Sequence, residues 1–261
     1  MMHASVKTQQ RQKRPGFPVQ ALIRQLEQAP ADRQRLVRLL AQEPPRDRPL
    51  RMTYEEFLAW ADEDTLADWV KGEVIMSSPA SLPHQNIVDF LVSVINMFVV
   101  SKRLGIVISA PFQMKMEHGR EPDVLFIARK HQERLKNTYL DGPADLVVEV
   151  ISPESAGRDR GDKFYEYERG GVPEYWLIDP LTQRAEFYQH RAGQYRIIQP
   201  ANEIYHSQVL PGFWLNVAWL WQYPLPHPLA VLGEIAGMPA QEIARLLELL
   251  SGQPSLARND E

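Results

Sequence analysis

No cysteine occurs among the 261 residues, which excludes disulfides and any zinc or iron–sulfur site built on thiolates. A long uninterrupted apolar run is also missing. The longest, Phe90–Val100 (FLVSVINMFVV), is broken by Ser93 and Asn96 and is too short to span a bilayer. No stretch has the form GxxxxGK[ST], so a phosphate-cradling loop of that type is absent. The N-terminus is basic, but no apolar signal-peptide core follows it. These absences lead to the expectation of a cytoplasmic protein without a membrane partner. No internal repeat is visible.

What is present fits a globular protein with one sizeable core and appendages: 44% of residues are hydrophobic and the formal net charge is −4. The charge is unevenly spread. Residues 1–50 carry ten Lys and Arg against four Asp and Glu, and the remaining residues nineteen against twenty-nine. A basic arm on an acidic body could touch nucleic acid, and its plainer reading is a charged leader with no specific role. The acidic body argues against a broad DNA-binding face, while an acidic pocket suits metal ions.

Hydrophobic periodicity predicts the elements. Residues 1–19 read as a disordered basic lead, and residues 18–45 as two short amphipathic helices broken near Pro30 and ended by Pro44–Pro45. Met52–Glu63 reads as a helix opened by a Thr53–Glu56 capping box. Two β segments flank a tight turn at Lys71–Gly72. The strongest helix runs from Pro83 to about Arg103, with Ile87, Phe90, Leu91, Val94, Ile95 and Phe98 on one face and Gly105 as its terminator. One or two strands are expected in GIVISAPFQMKM, a turn at EHGR, a buried strand in EPDVLFIA and helix around Glu133. After DLVVEVIS, residues 158–170 read as one helix stopped by Gly170–Gly171. PEYWLIDP, RAEFYQH and QYRIIQP read as three strands. The segment PGFWLNVAWLWQYPLPHPL reads as irregular, and MPAQEIARLLELLSG as a closing amphipathic helix. This order predicts an α/β core whose mixed sheet contains hairpins and at least one crossover.

Two carboxylates stand out. Strand alternation puts Val147, Glu149 and Ile151 on one face and Leu146, Val148 and Val150 on the other. Desolvating a lone carboxylate is costly, so Glu149 must be paired, protonated or bound to a cation, unless a strand edge exposes it. Asp123 raises the same question at the entrance of its strand, where Pro122 is tolerated. Two carboxylates on neighbouring strands would make a hard oxygen site suited to Mg²⁺ or Mn²⁺ rather than zinc. Lys163 lies on the following helix, with Asp159 four positions before it and Tyr167 four after. Its plainer reading is a solvated lysine paired with Asp159. Asp179 reads as a turn residue before Pro180, and Trp176, Trp214, Trp219 and Trp221 as packing groups. Of Tyr165 and Tyr167, helix-to-sheet packing accounts for at least one.

The ordered set EPDVLFI, DLVVEVISPES, RDRGDKFYEYERGGVPEYWLIDP and LPGFWLNVAWL, preceded by MTYEEFLAW and GEVIMSSPASLPHQNIVDFL, closely resembles the Uma2 family of PD-(D/E)XK, restriction-endonuclease-like nucleases. The resemblance covers roughly residues 52–235. It implies an α/β restriction-endonuclease-like core, a mixed β-sheet flanked by helices, with an N-terminal helical extension and a C-terminal helix. The implied organisation is a basic extension over 1–50, the nuclease domain over 51–235, and a helix and tail over 236–261. The PD pair falls on Pro122–Asp123 and the acidic residue of the second half on Glu149. The lysine expected two residues later is Ile151 instead; the family's helix-borne lysine falls on Lys163.

By the same resemblance, Asp123, Glu149 and Lys163 are the catalytic set, and Asp123, Glu149 and the Val150 main-chain carbonyl the metal ligands. Glu73, which follows an altered turn (Lys71–Gly72 where the family has Asp-Gly), His84 in the SP…HQ stretch, and Tyr167 are additional candidates. The plainer readings of Glu73 and His84 are solvent-exposed residues. The implied activity is Mg²⁺- or Mn²⁺-dependent hydrolysis of phosphodiester bonds in nucleic acid, with DNA as the expected partner and a homodimer as one assembly. The alternative is a catalytically inactive nuclease fold that binds nucleic acid or protein. A carboxylate-pair glycosidase would have no use for the lysine.

Overall fold

A computed structural model describes residues 50–251, apart from 63–64, 78–79 and 154. The two helices expected over 18–45, and the basic arm except for Leu50, lie outside the described residues. The chain runs through β1 (Leu50–Arg51), α1 (Tyr54–Trp60), β2 (Ala67–Val70), β3 (Glu73–Met76), α2 (Leu82–Lys102), β4 (Gly105–Ser109), β5 (Gln113–Lys115), β6 (Gly119–Arg120) and β7 (Val124–Ala128). A 3-10 helix at Arg129–Arg134 leads to β8 (Tyr139–Asp141), β9 (Leu146–Val150), α3 (Ala156–Arg160), α4 (Asp162–Gly170), β10 (Glu174–Asp179), β11 (Arg184–Arg191), β12 (Gln194–Ile197), β13 (Ile204–His206) and β14 (Trp214–Asn216). A 3-10 helix at Val217–Trp221, α5 (Pro228–Ile235) and α6 (Ala240–Ser251) complete the described chain.

The fold is α/β, with mixed sheets flanked by helices. The sheet that carries the site has the order β12–β11–β10–β9–β7–β4. Only β9 and β10 among its pairs run parallel, because α3 and α4 form the crossover between them. A second mixed sheet, β1–β3–β2–β6–β5–β8, contains the β2–β3 and β5–β6 hairpins.

The alternation of β9 separates two apolar layers. Leu146, Val148 and Val150 face α2, which contributes Ile87, Leu91, Val94, Ile95 and Phe98. Val147 and Ile151 face the other way, toward Tyr167 of α4 and Tyr175 and Leu177 of β10. By length and composition α2 could cross a membrane, yet half of its most apolar window is buried inside the fold. Its apolar face is occupied by the sheet.

Local signals behave as their chemistry dictates. The Thr53–Glu56 capping box forms reciprocally, and Lys71 and Gly72 both take positive φ in the β2–β3 turn, as a two-residue hairpin requires. Gly171 caps α4 in the left-handed conformation. Asp179 accepts the amides of Leu181 and Thr182, and Trp176 and Trp219 are buried while Trp214 and Trp221 pack against the same core.

Four expectations need correction. The helix expected over 158–170 is broken at Gly161, where a Cβ would fall 2.7 Å from the Gly157 carbonyl oxygen. Arg103, not Gly105, provides the left-handed end of α2; Gly105 instead lets β4 approach the Ile127 carbonyl, which an added Cβ would meet at 2.0 Å. The EHGR turn holds the short strand β6, which pairs with β2 and β5. The segment read as irregular contains β14, a 3-10 helix and the start of α5, whose N-cap His227 accepts the Leu229 amide.

Candidate active site

β7 and β9 are antiparallel neighbours with Val124 opposite Val148. That register brings Asp123, one residue before β7, level with the end of β9. Its Oδ2 accepts the Val150 N–H at 2.7 Å and lies 3.4 Å from Nε2 of His84. His84 sits in the first turn of α2, is only 8% exposed, and faces the carboxylate rather than solvent.

Glu149 points to the α4 side of the sheet and is 3% exposed. Lys163 and Tyr167, one turn apart on α4, both reach it. The Lys163 Nζ donates to Oε2 at 2.9 Å and the Tyr167 hydroxyl donates to Oε1 at 2.6 Å. Asp159, on the far side of the Gly161 break, places Oδ1 3.1 Å from the same Nζ. Lys163 is thus a buried cation held by two acids, not a solvated helix residue. Ile151, where the superfamily pattern has lysine, packs in the apolar layer beneath α4, so the ammonium arrives from the helix through its long stem.

Asp68, His84, Glu121, Asp123, Glu149 and Lys163 all line one cleft of about 250 Å³. Asp68 and Glu121 had not been singled out from sequence. The signal for Asp68 was available: it is a carboxylate inside a strand, as Glu149 is. Asp68 accepts from Arg120 at 2.9 Å and from the Glu121 amide at 3.0 Å. Arg120, itself 1% exposed, makes a two-pronged contact to Glu166 of α4. It thereby ties the β2–β6 pair to the helix that carries Lys163. Glu121 accepts the Ala67 amide.

Electrostatics follow from this crowding. Burial pushes the Glu149 carboxyl up to about 8, with the Lys163 ammonium working against it. Burial likewise raises Glu121 to about 7. Burial opposes the charge of Lys163, but Glu149, Asp68 and Asp159 outweigh it and hold the ammonium protonated well above its ordinary value. Asp68 stays below the usual carboxylate value because Lys163 and Arg120 overcome its burial. Burial would lower His84, but its contact with Asp123 raises it.

The additional candidates divide. Tyr167 is in the site. Glu73 is not: it stands at the β2–β3 turn, cross-strand from Arg51, and pairs with that arginine. A residue right after a tight hairpin turn is carried to the sheet's end, away from the cleft. Val150 lines the cleft, and it is its N–H that meets Asp123. Tyr165 is 66% exposed and borders a separate groove.

Among the described residues, no three His, Cys, Asp or Glu side chains stand close enough to cage a metal by themselves. Mg²⁺ needs no such cage, being held by one or two carboxylates together with water and substrate oxygens. Each carboxylate oxygen has two lone pairs, so Glu149 can keep Lys163 and Tyr167 and still face the cleft. Among the described residues, the Asp159 carboxylate makes no hydrogen bond beyond its ion pair with Lys163. This hard oxygen set fits Mg²⁺ or Mn²⁺.

The family model of Uma2, described as "Putative restriction endonuclease", matches residues 54–218, a span that includes every cleft residue named above. The chain belongs to the Uma2 family. An uncharacterized protein of Synechocystis sp. is 27% identical to this Uma2 chain over 142 residues, which is 53% of this chain and 80% of the relative. A crystal structure from Anabaena variabilis, described as a "putative nuclease belonging to DUF820", superposes with a TM-score of 0.55 at 20% identity, covering 65% of this chain and 97% of that one. That likeness concerns the fold, which the two proteins share.

Proposed function

We propose that this Uma2 protein is a metal-dependent nuclease that hydrolyses phosphodiester bonds, with DNA as its substrate. The observation that carries this reading is the convergence of Asp123, Glu149 and Lys163 in one cleft, with neither acid neutralised by an arginine. Asp123 and Glu149 would hold Mg²⁺ or Mn²⁺, with the Val150 carbonyl as a third donor. The ion, when bound, would acidify a water and withdraw charge from the phosphoryl oxygens. Lys163 supplies a fixed positive charge next to the developing negative charge and opposes the burial that raises Glu149. Tyr167 fixes the Glu149 rotamer. His84 orients Asp123.

Supercoiled plasmid incubated with Mg²⁺ or Mn²⁺ tests the reading. Wild type is expected to nick or linearise it, while Asp123→Asn and Glu149→Gln lose at least about a hundredfold, the scale seen when a charge-stabilising group is removed. Equal activity in all three proteins would sink the assignment. The acidic balance of the body outside the basic arm favours a second reading, a binding module without catalysis, which would show no cleavage and no Mn²⁺ uptake at the carboxylate pair in calorimetry.

A further inference from the structure

One cation in the cleft has no part in the reaction just described. Arg158, on α3, lines the cleft beside Ser152 and Ser155. Its neighbours in chemistry are committed to acids. Arg160, two residues on, pairs with Asp179 and Glu186, and Arg120 with Asp68 and Glu166. Lys163 is enclosed by Glu149 and Asp159, and His84 contacts Asp123. Arg158 makes no ion pair among the described residues, and its Nε is shut away from solvent with no acceptor. Ser152 and Ser155 hold one another through reciprocal amide-to-hydroxyl bonds at 3.0 and 3.2 Å, which fixes the chain leading into α3.

A guanidinium N–H desolvated without an acceptor is unfavourable. Arg158 as a whole is only half-buried at the wall of this open cleft, so an acceptor entering the cleft meets a cation with no acid of its own among the described residues. The acids of the cleft repel an anion, so a cation left unmatched there has a use that the carboxylates cannot serve. The planar fork of arginine matches two oxygens of a phosphate. We propose that Arg158 is a phosphate-binding residue of this cleft, gripping the non-bridging oxygens of a backbone phosphate of the substrate. That the phosphate belongs to nucleic acid rests on the nuclease reading; that the ligand is a phosphate rests on Arg158 itself.

The test uses two probes on the full chain with Ca²⁺ replacing Mg²⁺: inorganic phosphate followed by calorimetry, and a fluorescein-labelled oligonucleotide followed by anisotropy. Arg158→Ala is expected to weaken both by about tenfold, the order of one charge-assisted contact. It should also reduce the salt slope of oligonucleotide binding by roughly 0.7–0.9. Arg158→Lys, which keeps the charge and loses the fork, should fall between, and Arg196→Ala, on exposed β12, should match wild type. Thermal melts of each variant separate a lost contact from lost folding. If Arg158→Ala binds both probes as wild type does, the phosphate site is overturned and the nuclease reading stands. If wild type takes up phosphate through Arg158 yet binds no oligonucleotide, the nuclease reading fails and the phosphate site stands. Wild type that binds neither probe overturns both.

Discussion

Glu149 and Glu174 are both buried carboxylates inside strands, and their surroundings separate them. Glu174 is fully enclosed and accepts from the Trp176 indole and from the Gln208 and Val209 amides, so it acts as a clasp for the 207–210 segment. Glu149 instead shares a cleft with other acids and is held by a lysine and a tyrosine. The consequence is testable at Lys163. Replacing it with alanine leaves Glu149 and Asp159 buried without their cation, a loss expected to cost about 3–5 kcal/mol. The pH dependence has a definite sign. A carboxyl raised by burial contributes most below its unfolded value near 4.5 and loses that contribution as pH rises through its folded value of about 8. Without Lys163, which holds the Glu149 carboxyl down, that carboxyl rises further, so the Lys163→Ala deficit should be level below about pH 8 and grow as pH rises above it, and Mn²⁺ should reduce it by supplying the missing positive charge. Chemical denaturation across this pH range, with and without Mn²⁺, reads both effects. A deficit independent of pH and of Mn²⁺ would show that Lys163 matters only as packing.

Among the elements, the crossover between β9 and β10 decides how the site is built. A single straight helix over 158–170 is what the residue pattern predicts, and Gly161 prevents it. Asp159 and Lys163, four residues apart, stay paired across the break, and Arg158 lies on α3, lining the cleft with Ser152 and Ser155. Gly161→Ala forces a methyl group against the Gly157 carbonyl oxygen. Overpacking of this kind is expected to cost about 1–3 kcal/mol, and cleavage should fall by more than the melting temperature alone explains, because α3 must shift. Comparing Gly161→Ala with Gly157→Ala checks this, since a Cβ at Gly157 meets nothing within 4 Å. Equal behaviour of the two variants would refute the role given to the break.

For the whole molecule, charge is unevenly distributed along the chain. Residues 51–261 hold nineteen Lys and Arg against twenty-nine Asp and Glu, whereas residues 1–50 are basic. If the basic arm contacts phosphates, removing residues 1–49 should flatten the salt dependence of oligonucleotide binding and weaken it most at low salt. Anisotropy over a range of KCl concentrations reads the slope, and an unchanged slope would assign the arm no part in binding.

Much of this architecture was legible residue by residue. Alternation in DLVVEVIS placed Glu149 opposite the α2 layer, the Thr53–Glu56 pair marked a helix start, and Pro122 marked the entrance of the strand that follows Asp123. Each is a local property, set by steric and hydrogen-bonding rules that act over a few residues, so the sequence by itself determined them. Which carboxylates share a cleft is not local. Asp68 and Glu121 entered it, and Glu73 left it, because β2 pairs with β6 and the hairpin turn points away. Arg158 and Arg160 look alike in sequence, yet only Arg160 finds acids, because β10 and β11 pass beneath it. Strand neighbours and helix docking are chosen by the burial of apolar surface over the whole chain, and for that reason only the tertiary structure decided which charges meet.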